Sequence, residues 1–210
     1  MMRTQTWNEK WSALCQTQAG ACFIVGSGPS LVKNDWAAFA GRDVIAMNHA
    51  LWFLPDGLAK IWAFTDWPKE FRRYLPAALH KGLTVIRNGN YKKDPPEPHD
   101  RLISVNACDV PGHSVFGTLD LALGIAAHMG YVRAYLISCD GGEGNVAYAS
   151  TGSYTAFLGD QIWPRLRDGV IEVMSTGARA SDANVAHHDV ATALEFDNHV
   201  RWNARAQRAE

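Results

Sequence analysis

The feature that most constrains this chain is a succession of short apolar runs, separated by segments with helical spacing. From Ala21 onward the runs are Ala21–Gly26 (ACFIVG), Asp43–Asn48 (DVIAMN), Ile61–Asp66 (IWAFTD), Leu83–Asn88 (LTVIRN) and Arg133–Asp140 (RAYLISCD). Leu102–Val105 and Val170–Met174 read as shorter strands. Runs of four to eight apolar residues that end in Gly, Asn or Asp fit buried strands better than surface ones. Strands alternating with helices predict an α/β fold: one Rossmann-like domain, a mostly parallel sheet with helices on both faces. The predicted helices are Ser30 or Asn34 to Phe39, Pro68–His80, Val115–Met129, Asp160–Arg167 and His188–Gln207. Pro68 suits a first turn.

Length agrees with one domain. At 210 residues the chain is long enough to bury a full core without disulfide or metal staples. Residues 1–20 read as an N-terminal helical extension and 21–210 as a nucleotide-binding α/β domain. Trp7 and Trp11, four apart, would form one apolar face of that extension. Residues 88–100 (NGNYKKDPPEPHD) are rich in proline and charge and read as a surface loop.

Composition narrows the partners. Lys plus Arg is 20 and Asp plus Glu is 21, a formal charge of −1. That balance does not support nucleic-acid binding. No apolar run approaches a membrane span, and the first 20 residues contain no signal-peptide core. The cysteines, Cys15, Cys22, Cys108 and Cys139, lack metal or redox spacing and read as buried hydrophobes of a reducing compartment. A cytoplasmic protein is expected; its oligomeric state is left open.

In parallel sheets, ligands bind outside the carboxyl ends of the strands. Chemistry-bearing residues gather at those ends here. The turn Gly26-Ser27-Gly28-Pro29-Ser30-Leu31 follows the first strand and precedes a helix. Its glycines allow close approach of the backbone, and a helix start offers N–H groups to an anion. Leu31 replaces the third glycine of a dinucleotide fingerprint, and no Gly-Lys-Ser/Thr of a Walker loop is present. The turn is therefore either a nucleotide-phosphate loop of another kind or a plain tight turn. Asn48 can read a base or sugar hydroxyl, or cap a helix. Asp66 and Asp140 can take a ribose hydroxyl, a base amine or a metal, or act as turn acids. The glycine-rich stretch 141–145 precedes Tyr148, Ser153 and Tyr154, hydroxyls able to stabilise a leaving phosphate from a mobile loop. His187-His188-Asp189 offers a general base or a helix cap. The two adjacent histidines are a poor metal pair, and no metal site is expected. Trp52, Trp62 and Trp67 flank these residues; core packing is the commoner role for such rings, stacking on a base the rarer one.

FIVGSGPSL, with a second strand ending in Asn48, resembles the V-x-G-N-G-P-S-L opening of glycosyltransferase family 42, the Campylobacter-type sialyltransferases. Gly117-Thr118 followed by a helix and GYVRAYLISCD, then SYTAF, then HHDVATALEF, resemble successive motifs of that family. Other GxGPSL proteins are also similar, among them 6-hydroxymethylpterin diphosphokinase-like proteins and phage relatives. The resemblance implies a transferase that takes a nucleotide sugar and requires no cofactor. It implies that Gly26, Ser27, Gly28, Pro29, Ser30, Asn48 and Thr118 hold the nucleotide. Ser153 and Tyr154 would stabilise the departing phosphate, and His187 or His188 would deprotonate the acceptor. Ser27 stands where the family has Asn, and Gly142 where it has Tyr. The diphosphokinase resemblance implies instead Mg²⁺ on Asp66 and Asp140. The phage relatives imply a nucleotide-binding accessory protein without catalysis.

Overall fold

The computed structural model describes residues 7–18, 20–65, 69–88, 99–105, 118–131, 133–139, 172–175 and 186–187. Helix α1 spans Trp7–Ala13, α2 Lys69–His80 and α3 Thr118–Met129. The strands are β1 (Ala21–Val25), β2 (Val44–Met47), β3 (Ile61–Phe64), β4 (Thr84–Asn88), β5 (Leu102–Val105), β6 (Arg133–Ile137), β7 (Glu172–Ser175) and β8 (Ala186–His187). They form one sheet in the order β5-β4-β3-β2-β1-β6-β7-β8. Every pairing is parallel.

Strands β1, β2 and β3 are buried along their whole length. Such strands need apolar side chains on both faces, as their sequences provide. Ile24, Ile45, Met47, Ile61, Ala63 and Ile86 pack on one face, with Trp11 of α1 and Leu121, Ile125 and Met129 of α3. Phe23, Val25, Val44, Trp62, Phe64 and Val85 pack on the other, with Leu31, Phe39, Leu54 and Leu75. Side chains alternate across a strand with period two, so adjacent residues enter different cores. Helix α3 closes at Gly130, where φ is +93°. The Gly130 and Tyr131 amides donate to the carbonyls of Ala127 and Ala126, the paired bonds of a Schellman stop.

Three expectations change. The helix predicted up to Phe39 is two 3-10 helices, Pro29–Lys33 and Trp36–Phe39. Asn34 and Asp35 between them are extended, and the Asp35 carboxylate accepts the Ala37 amide to start the second. Neither Ser30 nor Asn34 caps a helix here; Gly28 holds the N-cap of the first, without a side-chain bond. Asn48 is not the last strand residue but the first of a further 3-10 helix, Asn48–Phe53. The strand predicted at Val170–Met174 lies at Glu172–Ser175, and β8, absent from the sequence reading, pairs with it. The helices predicted at 160–167 and 188–207 lie outside the described residues.

Candidate functional site

Strands β1 to β5 extend to one side of β1, and β6 lies on the other. The direction in which successive strands are added to the sheet therefore reverses between β1 and β6, although all strands run parallel. Crevices outside the carboxyl ends of strands at such a reversal are where ligands bind in open α/β sheets.

The Gly26–Ser30 turn sits at this point and is tied to the tip of β6. Gly26 N–H donates to the Ile137 carbonyl at 2.9 Å, and Gly28 N–H to the Ser138 carbonyl at 2.8 Å. Asn34 Nδ2 donates to Ser138 Oγ at 3.0 Å. A Cβ on Gly26 would stand 2.7 Å from the Ser138 carbonyl oxygen and 2.9 Å from Cys139 Sγ. Only glycine lets these backbones approach so closely. Ser27 and Gly28 are part-exposed beyond the contact.

A second cluster lies one and two strands away. Asn48 is half-buried, and Thr118, the first residue of α3, is buried. Thr118 Oγ1 donates to Asn48 Oδ1 at 3.1 Å. The same hydroxyl accepts the Thr65 amide at 3.3 Å and lies 3.0 Å from Thr65 Oγ1. Trp62 Nε1 donates to the Asn48 carbonyl at 2.8 Å. Trp62 is fully buried and serves the core, while Trp52 is 38% exposed. Asn48 and Ser138 both adopt left-handed backbone, with φ of 47° and 54°. Non-glycine residues rarely do so, and such strain gathers at functional sites.

The structure thus brings Gly26, Ser27, Gly28, Pro29 and Ser30 to the carboxyl ends of β1 and β6 and joins Asn48 to Thr118. Asp66, Asp140, Ser153, Tyr154 and His188 lie outside the described residues. The backbone of His187 ends β8, in a register chain that runs Ile24, Leu136, Ser175, His187. Three strand spacings of about 4.8 Å put it roughly 14 Å from β1 along the sheet. Thr65 and Ser138 were not singled out in the sequence; both are hydroxyl residues at strand ends, next to or near the acids that drew attention.

Arg87, near the end of β4, is 2% exposed and donates from Nε to Ser104 Oγ at 2.7 Å. Burial, with a smaller push from Arg72, lowers its pKa below the ordinary guanidinium value. A cavity of about 120 Å³ lies at the opposite, amino edge of the sheet, lined by Asp43, Lys60, Thr84 and Tyr131 among others. It is remote from the strand tips described above. Among the described residues no group of three His, Cys, Asp or Glu side chains is placed to hold a metal ion, and no helix is long and apolar enough to cross a membrane. Cys15, Cys22 and Cys139 are free thiols.

No protein-family model matches the chain. No curated protein matches it either. Among solved structures, the chain is similar to the MAf glycosyltransferase from Magnetospirillum magneticum AMB-1, with a TM-score of 0.60 and 13% sequence identity. The match covers 98% of this chain and 43% of that one. The chain therefore spans less than half the length of that glycosyltransferase. At this identity the likeness is one of fold: a parallel α/β sheet that a glycosyltransferase also uses.

Proposed function

We propose that the chain is a transferase of the glycosyltransferase type that binds a nucleotide sugar across the carboxyl edge of its sheet. The observation that carries this reading is the Gly26–Ser30 turn held against the tip of β6 where the strand order reverses. There Gly26 lets the turn approach the β6 tip, and Ser27 and Gly28 remain part-exposed. The fold shared with a glycosyltransferase supports it.

In this reading the nucleoside lies toward Asn48, the phosphate at the Gly26–Ser30 turn, and the sugar toward β8. His187 or His188 takes the proton of an acceptor hydroxyl, and that oxygen bonds to the anomeric carbon. The bond from the anomeric carbon to the phosphate oxygen breaks, and the nucleotide leaves with both electrons. Tyr154, Ser153 and backbone N–H groups stabilise the negative charge that develops on it. The sialyltransferase resemblance makes a pyrimidine nucleotide the first donor to try.

The test is a thermal-shift panel of CMP, CDP, UDP, GDP and ATP, each with Mg²⁺ and with EDTA. A ligand at about 100 times its Kd adds ~2.7 kcal/mol of stability, a rise of roughly 5–10 °C in a domain of this size. A metal-independent shift with a pyrimidine nucleotide is expected. A shift confined to ATP with Mg²⁺ would replace this reading with diphosphate transfer. Full activity in both His187→Ala/His188→Ala and Tyr154→Phe proteins would remove the proposed mechanism.

A further inference from the structure

We infer that Thr65 and Thr118 form a hydroxyl relay that locks the Asn48 side chain with its NH₂ group facing the ligand. The site at the end of β2 then recognises a hydrogen-bond acceptor, such as a carbonyl or hydroxyl oxygen of the bound nucleotide, and Thr118 is a positioning residue. This inference rests on the nucleotide-binding reading above for its ligand, but not for its geometry.

The relay follows from counting donors and acceptors. A threonine hydroxyl has one proton and two lone pairs. Thr118 Oγ1 accepts the Thr65 amide, whose direction is fixed because a backbone N–H can only donate. Its proton goes to Asn48 Oδ1. The contact between the two hydroxyls is then filled by the Thr65 proton, donated to the second lone pair of Thr118. Thr118 is saturated and only 3% exposed. Nothing of its hydroxyl is left for a ligand, although the family resemblance implies a nucleotide contact there.

Asn48, part-exposed like Thr65, is the member with hydrogen-bond donors to spare. Its backbone is held at a left-handed φ of 47°, a conformation that asparagine tolerates better than most residues. The Trp62 indole pins its carbonyl at 2.8 Å. With Oδ1 taken by Thr118, the amide offers two N–H donors. No partner for Nδ2 exists among the described residues, and the residue is half-buried at the strand tip. A fixed amide of this polarity favours an acceptor and rejects a donor, because two facing N–H groups leave both without a partner.

Two measurements test this on the full chain. The first needs no ligand: the ¹⁵N order parameter of the Asn48 side-chain amide. It should be high in the wild type, near the ~0.85 of rigid groups, and stay high in Thr118→Ser. It should fall below about 0.6 in Thr118→Val. A rigid amide in Thr118→Val overturns the relay, whatever binds. The second uses CMP as the probe in calorimetric titrations. Asn48→Asp keeps an acceptor for Thr118 and tolerates the same φ, so its melting temperature should hold while CMP affinity falls by about tenfold or more. Melting well below the wild type would mean that Nδ2, not Oδ1, faces Thr118, and would overturn the assignment. Thr118→Val should weaken CMP in the wild-type background and have no further effect in Asn48→Asp. An equal loss in both backgrounds would make Thr118 a direct contact and overturn its positioning role. Failure of CMP to bind the wild type, with the order parameters as expected, would count against the nucleotide-sugar reading and leave the relay standing.

Discussion

At the scale of single residues, the candidate site is built where strands stop. Asn48 and Ser138 each turn the chain through a left-handed conformation immediately after β2 and β6. Gly26 does the corresponding work after β1 by having no side chain. The strictest demand is on Gly26, since its nearest neighbour is a backbone carbonyl that cannot rotate away. Gly26→Ala should therefore destabilise the fold by about 1–3 kcal/mol, the usual cost of overpacking. Its urea midpoint should fall without a change in the slope of the transition. A midpoint equal to the wild type would show that the β6 tip yields, and that the close approach is not required. Gly26 and Asn48 were legible in the sequence because glycine and a strand-end amide stand out. Thr65 and Ser138 were not. A hydroxyl residue at the end of an apolar run looks like ordinary strand composition. Attention passed to Asp66 and Asp140, which follow them by one and two positions.

Individual elements were legible where one period persists and illegible where a local bond interrupts it. Helix α3 carries twelve residues of unbroken helical pattern within the predicted Val115–Met129, and it ends at the predicted Met129. The stretch from Pro29 to Phe39 has apolar residues at helical spacing too, but Asp35 captures the Ala37 amide and splits it. Such short side chains compete with the helix for backbone donors. The N-terminal extension shows the opposite case, an element too short to hold itself. A seven-residue helix is unstable alone, so α1 depends on its docking. Trp11 stacks on His128 with ring centroids 3.8 Å apart and planes 9° apart. The His128 ring nitrogen lies 2.8 Å from the Trp11 carbonyl oxygen, and Lys10 Nζ donates to the His99 carbonyl at 2.7 Å. Trp11→Ala should cost about 3–5 kcal/mol, as for other large buried aromatics. Limited proteolysis should then cut near Ala13 well below the global unfolding temperature. Resistance equal to the wild type would show that Lys10 and the rest of α1 suffice to dock it.

For the whole molecule, the alternation of strands and helices was enough to infer the parallel sheet that the structure shows. It was not enough to give strand order. Order depends on which face each crossover takes, and that is decided by side chains meeting between segments rather than within any one of them.

 The packing that fixes strand order joins segments distant in the sequence, which no local pattern relates. Strand β8 shows the limit of the sequence reading most clearly. Two residues carry no period, so only their pairing with β7 marks them as strand.

The observed order does place the reversal between β1 and β6, and this has a consequence for the molecule as a whole. A ligand seated there touches one edge of the sheet and leaves the other untouched. The stabilisation that it brings should therefore be uneven at the level of local opening, even though global unfolding feels all of it. Hydrogen exchange with and without saturating CMP should show added protection at the amides of Gly26, Gly28, Leu31 and Asn48, and at Ser138. The amides of Lys60 and Thr84, which bond at the amino edge to the carbonyls of Val44 and Lys60, should change only in so far as they exchange by global unfolding. Measured under conditions where local opening dominates, the two edges should separate by at least tenfold in protection, about 1.4 kcal/mol. Equal protection at both edges would mean that binding acts on the whole sheet. Protection confined to Lys60, Thr84 and their neighbours would move the site to the amino-edge cavity beside Asp43. The crevice at β1 and β6 would then be a packing feature of the sheet, and the strain at Asn48 and Ser138 would serve only to turn the chain.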